Sequence, residues 1–375
     1  MKYNYPLFKV HINTEDALLN LRTVFESGFL NEGEQVSQFR GELEKYFDHE
    51  NVIPLNSCTS ALTLSLILSG VGEDCEVIVP SMTCVASVTP IHNVGAKVVW
   101  ADIDSETGNV NVEDVKRKVT DKTKAVLCVN WAGLPCDLES LRDLCEENGL
   151  RLIQDAAHSL GSMHKSKHVC HFADFTCYSF QSIKHITTGD GGALICESKA
   201  DYDRAKKLKW FGFDRDGCKD EKGEWKGQRW SVDINESGYK FYMNNVAAAI
   251  GLSQIGSMDS VVSKHKRNAK TYAKSFEGVE RVTPLKFSEH SDPAFWVYTF
   301  LVDDNRDDIV SRLNEMGIGA ALVHVPCHIY TCFKDSLCDL PDTDTFYNNQ
   351  ISLPCGWWLE ENDIENIATE LKGML

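Results

Sequence analysis

Short apolar runs alternate with amphipathic segments through most of this chain. Seven of the runs have the length and composition of buried β-strands, and they occupy residues 51–55, 76–79, 97–101, 124–131, 151–154, 174–180 and 193–196. Between several of them, apolar residues recur at intervals of three and four, which predicts helices over residues 62–69, 84–94, 112–119 and 138–148. This alternation is typical of an α/β fold, in which helices cover a mostly parallel sheet.

The pattern changes beyond the last of these strands. A helix is predicted over residues 257–276, followed by a strand at 295–302 and a helix at 306–316. A domain contains roughly 100–200 residues, and the chain has 375. The sequence therefore predicts a large domain over residues 1–255 and a smaller C-terminal α+β domain over residues 256–375.

A polar and glycine-rich segment lies between the two patterns. It spans residues 214–237 and follows a helix predicted over residues 201–213. Connections of this length inside a compact domain usually carry function or move. We therefore expect this segment to be a functional or mobile loop.

The overall composition excludes several classes of partner. The formal net charge is −17, whereas a protein that binds a phosphate backbone needs a basic surface, so nucleic acid is not an expected partner. The first residues lack the apolar core of a signal peptide, and no run approaches the roughly 20 apolar residues of a membrane span. The sequence thus predicts a soluble cytoplasmic protein without a membrane partner.

The chain contains 14 cysteines, which are scattered and form no C-x-x-C pair. Many lie inside apolar runs, so we interpret them as reduced thiols of the core rather than as disulfides. His168, Cys170 and His171 form one short cluster, but no second pair follows at the spacing of zinc ligands. No metal site is predicted.

One segment, residues 179–192, carries the sequence SFQSIKHITTGDGG. It places Lys184 between apolar neighbours, and partial burial would lower the pKa of its amine and free that amine to form a Schiff base. The glycines that follow would let the backbone pass close to a flat ligand. A core lysine needs no such surroundings, so Lys184 is the predicted catalytic residue.

A second candidate, Asp155, ends the predicted strand at residues 151–154. Ligands of open α/β sheets bind beyond the carboxyl ends of the strands, so this carboxylate is expected to face the crevice. An aspartate that faces a pyridine nitrogen keeps the nitrogen protonated and makes the ring an electron sink. Together with Lys184, it predicts pyridoxal 5′-phosphate (PLP) as cofactor.

The turn NSCTSA, at residues 56–61, leads from the first predicted strand into a helix. Hydroxyl groups and free backbone N–H groups at a helix N-terminus form an anion site. The turn is therefore either a phosphate site or a plain helix cap.

These motifs together resemble one protein family. The sequences DAAH at 155–158, YSF at 178–180, Lys184 and TGDGG at 188–192 resemble those of the DegT/DnrJ/EryC1/StrS family of PLP-dependent sugar aminotransferases, which belongs to fold type I of the aspartate aminotransferase superfamily. The resemblance extends from SGFLNEG at 27–33 to ISLP at 351–354. It implies a large domain with a seven-stranded, mostly parallel sheet between helices.

The resemblance also implies roles for further residues around the cofactor. Thr59, Ser60 and Ser179 would anchor the PLP phosphate. His158 would either support the ring or its phenolic oxygen or make a structural hydrogen bond. Cys84 stands where the family often has an aromatic residue that stacks on the ring, so it would contact the ring face. Cys58 stands where glycine is usual in the phosphate turn.

A segment near residue 240 resembles the family's G-x-N-x-R-M stretch, which reaches across a dimer interface to the neighbouring subunit's phosphate. Lys240 stands at the asparagine position and Tyr242 at the arginine position. Because a lysine still offers a point charge to a phosphate, we assign this role to Lys240, with a solvated loop lysine as the alternative. A homodimer with PLP sites at its interface is the expected assembly.

The reaction implied by the resemblance moves an amino group from an amino acid, expected to be L-glutamate, to a nucleotide-linked keto-sugar. The T-T-G-D-G-G form of residues 187–192 is similar to that of enzymes that act on 4-keto-6-deoxyhexoses. His324 and His328 either line the substrate mouth or lie on the surface. Trp131 is either a packing residue or a substrate contact.

Three alternatives remain. A dehydratase branch of the family has histidine in place of the lysine, whereas here Lys184 is kept and His185 comes one place later. A nicotinamide oxidoreductase would show G-x-G-x-x-G after the first strand, and none is present. A regulatory relative could bind PLP without turnover.

Overall fold

A computed structural model describes residues 3–215, 217–218, 233–336 and 338–375. Most of the polar segment predicted at residues 214–237 lies outside the described residues. The strands, in chain order, are β1 Val52–Leu55, β2 Glu76–Pro80, β3 Lys97–Ala101, β4 Thr123–Val129, β5 Arg151–Asp155, β6 Met163–His164, β7 Lys167–His168, β8 Phe175–Ser179, β9 Gly192–Cys196, β10 Val282–Pro284, β11 Ser291–Asp292, β12 Tyr298–Val302 and β13 Gln350–Leu353.

The helices cover both ends of the chain and the connections between strands. In chain order they are α1 Thr14–Ser27, α2 Glu34–Phe47, α3 Cys58–Leu68, α4 Val85–Asn93, α5 Val112–Lys118, α6 Leu138–Asn148, α7 Lys199–Leu208, α8 Asn245–Leu252, α9 Met258–Ser275, α10 Arg306–Glu315, α11 Pro341–Asn349 and α12 Glu361–Lys372. Several begin at a side chain that accepts a hydrogen bond from the first turn, among them Asn13, Ser57, Asp137 and Asn244. Such caps satisfy backbone N–H groups that the helix itself leaves free.

Seven strands form the central sheet in the order β1-β9-β8-β5-β4-β2-β3. Only β9 runs antiparallel to its neighbours, and the other pairs are parallel. Apolar side chains of α2, α5, α6 and α8 pack on one face of the sheet, and those of α3, α4 and α7 pack on the other. The α/β fold predicted from the apolar runs is confirmed.

The C-terminal part of the chain has its own sheet, in the order β10-β12-β13, and its own core. That core joins the sheet to α9, α10 and α12. The predicted boundary between domains at residues 255 and 256 stays a prediction. An additional small sheet, β11-β6-β7, pairs a strand of the C-terminal part with a hairpin of the first part.

A separate apolar cluster joins the two parts at the carboxyl edge of the central sheet. From the first part it includes Met82, Ile103 and Trp131, and from the second part Trp296 and Phe346. All five side chains are almost fully buried. The edge where parallel strands end is therefore covered by residues from much later in the chain.

One stretch, Asn245–Ser275, is long and apolar enough to cross a membrane by length and composition alone. In the structure it is divided into α8, a 3₁₀ turn at Ile255–Ser257, and α9. Helix α8 packs against α1 and α2. Core helices of globular proteins also meet this criterion, so it is weak evidence for a membrane span.

Several predicted element ends differ from the observed ones; for example, β12 begins at Tyr298 rather than at residue 295, and α3 begins at Cys58 rather than at residue 62. Two further differences have a visible structural cause. Strand β4 ends at Val129 rather than at residue 131, because residues 131–133 form a 3₁₀ turn in which Ala132 has φ +53°. Helix α7 ends at Leu208 rather than at residue 213. There, Trp210 pairs with Lys240, and the backbone at Phe211 is left-handed with φ +57°.

Candidate active site

Asp155 ends β5 and is buried at the carboxyl edge of the central sheet. Its Oδ2 accepts a hydrogen bond of 2.7 Å from the Ser87 hydroxyl of α4, and its Oδ1 accepts one of 3.0 Å from the Ala157 N–H. Burial raises the pKa of Asp155 above its ordinary value, while these hydrogen bonds and the charge of Lys184 act in the opposite direction. The carboxylate is thus held in one orientation toward the crevice.

Lys184 lies in the loop after β8, within electrostatic reach of Asp155. Part of the residue is accessible to solvent, but protein atoms surround its amine, and this burial lowers the pKa of Lys184 to about 8. The charge of Asp155 acts against that shift. An amine with this pKa is neutral in a useful fraction of molecules near neutral pH, as a nucleophile or a proton acceptor must be.

Three rings stand beside the amine. Lys184 Nζ lies 3.8 Å from the ring centroid of Trp296, and His158 stacks on the same indole at 3.9 Å with an interplanar angle of 16°. His324 lies beyond His158, 5.6 Å away and nearly parallel to it. Of the predicted residues, Asp155, Lys184 and His158 therefore come together at one site.

Both histidines are neutral in this environment. Burial and the charge of Lys184 lower the pKa of His158 well below its ordinary value and lower the pKa of His324 to about 3. His158 Nδ1 and His324 Nε2 are buried without a hydrogen-bond partner among the described residues. Because such atoms cost free energy when they stay unpaired, they point to a polar ligand.

The turn before α3 lies next to this site. Ser57 Oγ accepts a hydrogen bond of 3.1 Å from the Ser60 N–H, and Ser60 Oγ donates to Asn56 Oδ1 at 2.6 Å. Thr59 is exposed. In the part of the chain that the structure describes, the N–H groups of Cys58 and Thr59 bind nothing. The helix therefore presents free N–H groups and hydroxyls, which suit a phosphate.

A glycine brings this turn against the sheet. A Cβ on Gly192, at the start of β9, would lie 2.4 Å from the Cys58 backbone nitrogen and 2.5 Å from the Ser57 carbonyl carbon. Gly192 is paired in the ladder with Ser179, the last residue of β8. The turn that carries Thr59 and Ser60 therefore adjoins the end of the strand that carries Ser179, and the close approach requires a glycine.

Two thiols stand near the lysine. Cys58 Sγ lies 4.0 Å from Asp155 Oδ1 and 3.6 Å from the Cys177 carbonyl oxygen, and burial raises the pKa of Cys58 so that its thiol stays neutral. Cys84 precedes α4 and lies within electrostatic reach of Lys184. The small residues at these two positions, where the family usually has glycine and an aromatic ring, both belong to the pocket.

The side chain of Lys240 lies outside the candidate site of its own chain. Its side chain is exposed, its backbone bridges Trp210, and its carbonyl oxygen accepts a hydrogen bond of 3.2 Å from Asn56 Nδ2. Tyr242 is also outside, where its hydroxyl donates to Asn31 Oδ1. The segment thus reaches the edge of the phosphate turn through its backbone alone.

The remaining residues that the sequence analysis singled out have different positions in the structure. His328 is buried, with its Nδ1 2.7 Å from the Ser81 hydroxyl, so of the two alternatives the surface position is wrong for this residue. Trp131 is buried in the cluster between the two parts of the chain and contacts His324.

All fourteen cysteines are free. Within the described ranges, no group of three His, Cys, Asp or Glu side chains is placed to hold a metal ion.

Two residues of the site were missed by the sequence analysis. Ser87 lies in a helix whose sequence carries no motif of chemistry, and its bond to Asp155 spans 68 positions of the chain. Trp296 lies within the strand predicted at residues 295–302, where an aromatic residue carries no signal of chemistry.

The pocket fits PLP. A phosphate can occupy the free helix N-terminus, the carboxylate of Asp155 can face a pyridine nitrogen, and the unpaired Nδ1 of His158 can meet a ring substituent. With a lysine amine on the same side of a seven-stranded α/β sheet, these features define the class as a fold type I PLP-dependent enzyme.

The comparison with known families is more specific. The sequence profile of the DegT/DnrJ/EryC1/StrS aminotransferase family matches residues 11–372, and the chain belongs to this family. GDP-perosamine synthase of Vibrio cholerae is 30% identical over 94% of this chain and 94% of its own length.

Solved structures agree with the family assignment. The sugar aminotransferase CalS13 from Micromonospora echinospora has a TM-score of 0.92 and is 27% identical, with 99% of this chain and 100% of CalS13 covered. The PLP form of Spr1654 from Streptococcus pneumoniae has a TM-score of 0.90 and is 27% identical, with 99% and 98% of the two chains covered. The predicted family and fold type are confirmed.

Proposed function

We propose that this protein is a PLP-dependent sugar aminotransferase that moves an amino group from L-glutamate to a nucleotide-linked 4-keto-6-deoxyhexose. The observation that carries the proposal is the pair formed by Asp155 and Lys184, whose charged groups are buried within electrostatic reach of each other and lie beside the free N-terminus of α3. A pair of this kind serves little purpose in a core, because burying two ionisable groups is costly.

The cofactor would be held by residues from four elements. The N–H groups of Cys58 and Thr59, together with the hydroxyls of Thr59, Ser60 and Ser179, would bind its phosphate. Asp155, fixed by Ser87 at 2.7 Å, would hold the proton on its pyridine nitrogen. When bound, PLP supplies an aldehyde that reacts with amines and a ring that withdraws electrons.

Lys184 has two tasks in this scheme. Its amine would hold the aldehyde of the cofactor, and the same amine would accept and return a proton at the α-carbon of the amino donor. A pKa of about 8 suits both tasks, since the amine can accept and return a proton near neutral pH. Neutral His158 and His324 flank the amine without competing for that proton.

The substrate proposal is supported by a named relative. The Vibrio cholerae protein is a GDP-perosamine synthase, which supports an amino sugar on a nucleotide as the product. His324 Nε2, buried and unpaired, offers a hydrogen bond to a polar ligand. The identity of the amino donor rests on the family resemblance.

Two other functions are less well supported. A sugar dehydratase of this family would have histidine at the lysine position, whereas Lys184 occupies it and the His185 ring binds the Ala294 carbonyl oxygen at 3.2 Å. A regulatory protein that binds PLP without turnover would need neither the proton-carrying amine nor the fixed carboxylate of Asp155.

We further propose that the protein acts as a cytoplasmic homodimer in which Lys240 reaches the phosphate site of the partner. The exposed side chain of Lys240 supports this, because it stays outside its own site. Exposed apolar residues of α1, including Leu18, Leu19 and Phe25, offer a surface for a second copy. Fourteen free cysteines fit a reducing compartment.

The experiment that tests the proposal is an absorption spectrum after incubation with PLP and gel filtration. We expect a visible band for the unchanged protein that disappears when glutamate is added. Lys184→Ala should retain no band, and Lys45→Ala, which alters an exposed lysine paired with Glu42, should behave like the unchanged protein.

The outcomes separate the alternatives. A band that glutamate does not remove would point to another amino donor or to a protein without turnover. The absence of any band would refute the assignment of Lys184. A band that disappears would then allow candidate keto-sugars to be tested by return of the band, with the product read by mass spectrometry.

A further inference from the structure

Residues 294–296, a short segment of the C-terminal part, form hydrogen bonds with the first part of the chain close to Lys184. The Ala294 N–H donates to the Ser162 hydroxyl at 3.0 Å, and the Trp296 N–H donates to the Ala132 carbonyl oxygen at 2.8 Å. A Cβ on Gly133 would lie 2.8 Å from the Phe295 backbone nitrogen. The two backbones therefore run in direct contact.

The same segment binds the chain on both sides of the lysine. Trp296 Nε1 donates to the carbonyl oxygen of Ile183 at 2.8 Å, and His185 Nε2 donates to the carbonyl oxygen of Ala294 at 3.2 Å. These partners are the residues immediately before and after Lys184. The position of the lysine backbone thus depends on a segment that comes from much later in the chain.

The middle residue of the segment has an unfavourable conformation. Phe295 has φ +48°, in the left-handed region that non-glycine residues seldom adopt. His265 of α9 holds this residue by donating from Nδ1 to the Phe295 carbonyl oxygen at 2.9 Å. Conformations of this kind persist where the surroundings enforce them, often at functional sites.

The indole of Trp296 is in contact on its faces with three side chains. Lys184 Nζ lies 3.8 Å from the ring centroid, His158 stacks at 3.9 Å, and Phe8 stacks at 4.7 Å. Trp296 is only 3% exposed, so it has little freedom to move. An indole face attracts an ammonium group and also accepts the apolar stem of a lysine.

We propose that Trp296 is a positioning residue, whose indole fixes the amine of Lys184 and the ring of His158 and so makes the catalytic lysine depend on the docking of the C-terminal part. The inference rests on the proposed PLP site and deepens it. The sequence does not assign this role, because Trp296 follows the lysine at a distance of more than a hundred residues.

The groups that face Lys184 define what the indole contributes. The titratable groups around the amine are Asp155, Cys58, Cys84, His158, His185 and His324. Burial keeps the three histidines neutral. Asp155, Cys58, Cys84 and the indole face favour the ammonium form of the lysine, so removal of the indole should favour the neutral amine.

The test measures how fast PLP is captured covalently by the PLP-free protein as a function of pH. Capture is stopped with borohydride, and modified Lys184 is counted by mass spectrometry. We expect the midpoint pH to fall in the order unchanged protein, Trp296→Phe, Trp296→Leu, by roughly half a unit to one unit for leucine. The PLP dissociation constant should rise in the same order.

Trp100→Phe is the matched control. Trp100 is 2% exposed, and its Nε1 also donates one hydrogen bond, at 2.9 Å to the Ser336 hydroxyl. Its replacement removes the same atoms from a buried position far from the lysine, so stability should fall similarly while the midpoint stays unchanged.

The possible results are distinct. The inference would be overturned if both Trp296 variants had the same midpoint pH as Trp100→Phe, or a higher one. Trp296 would then be a packing residue. If the leucine variant fails to fold, the phenylalanine variant decides. If the unchanged protein captures no PLP, the proposed function is refuted as well. If it captures PLP but the midpoint pH of the variants does not shift, only this inference is refuted.

Discussion

At the residue scale, the hydroxyl of Ser87 decides how Asp155 is held. Ser87 donates its proton to Asp155, so its oxygen must accept the proton of Thr83 Oγ1 at 2.8 Å. A hydrogen bond to a charged group contributes about 1.5–3 kcal/mol. We predict that Ser87→Ala lowers kcat/KM for the transfer roughly tenfold to a hundredfold, as measured by steady-state kinetics.

Thr83→Val supplies the control for this prediction. It removes the donor to Ser87 but leaves the bond between Ser87 and Asp155 intact. We expect only a small change in kcat/KM for this variant. Equal losses in the two variants would show that the chain of hydroxyls matters for packing and not for the carboxylate.

The two central residues could be predicted from sequence because their signals are local. Asp155 ends an apolar run, and Lys184 is followed by a glycine-rich turn, so each motif can be found within a few positions. Trp296 and Ser87 join the site through contacts that only the tertiary structure creates. A tryptophan in a strand or a serine in a helix has ordinary packing as its most common role.

At the element scale, the approach of α3 to β9 sets the phosphate turn. In Gly192→Ala, the added Cβ would meet backbone atoms of Ser57, Cys58 and Tyr178 at 2.4–2.7 Å, and backbone cannot move aside cheaply. We predict a loss of about 1–3 kcal/mol in the free energy of unfolding. The dissociation constant for PLP should rise at least roughly tenfold, since the N–H groups move.

Gly41→Ala tests whether a glycine replacement alone has this effect. Gly41 lies within α2, and a Cβ there would meet nothing within 4 Å. We expect it to stabilise the protein by about 0.5–1 kcal/mol, with PLP binding unchanged. Fluorescence titration with PLP and denaturant unfolding measure both quantities, and normal PLP binding by Gly192→Ala would contradict the role given to the turn.

The element ends show where periodicity loses its predictive value. The apolar run of β4 continues to Trp131, but Asn130 and the left-handed residues Ala132 and Gly133 turn the chain away from the sheet. Helix α7 ends early because Trp210 pairs with Lys240. In both places the backbone conformation after the element outweighs the apolar pattern, whereas the seven strands themselves were predicted because each contains a short apolar run between turn residues.

At the scale of the whole molecule, the sequence indicated two parts but not how they meet. The contact is made by Trp296 and Phe346 of the second part with Trp131 of the first. In the sequence each of these residues resembles an ordinary residue of a hydrophobic core. The apolar pattern does not indicate that they pack between the two parts rather than inside one of them. The proposed active site lies at this contact, so its completion would depend on the packing of both parts.

The lysine also affects the stability of the whole protein. Folding lowers the pKa of Lys184 from 10.5 to about 8, so between these values the unfolded chain binds more protons than the folded one. Stability of the PLP-free protein therefore rises with pH across this window. Below about pH 8 the folded protein buries the charged ammonium group of Lys184. This burial lowers the free energy of unfolding by about 3 kcal/mol, at 1.36 kcal/mol per pKa unit.

Lys184→Met should remove that penalty. We predict that the PLP-free variant unfolds several degrees higher than the unchanged protein near pH 7, and that the difference disappears as the pH rises from about 8 to about 10.5. Lys45→Met, at an exposed position, should show no such difference at either pH. A constant advantage of Lys184→Met at all pH values would mean that methionine merely packs better, and that the amine is not destabilised by burial.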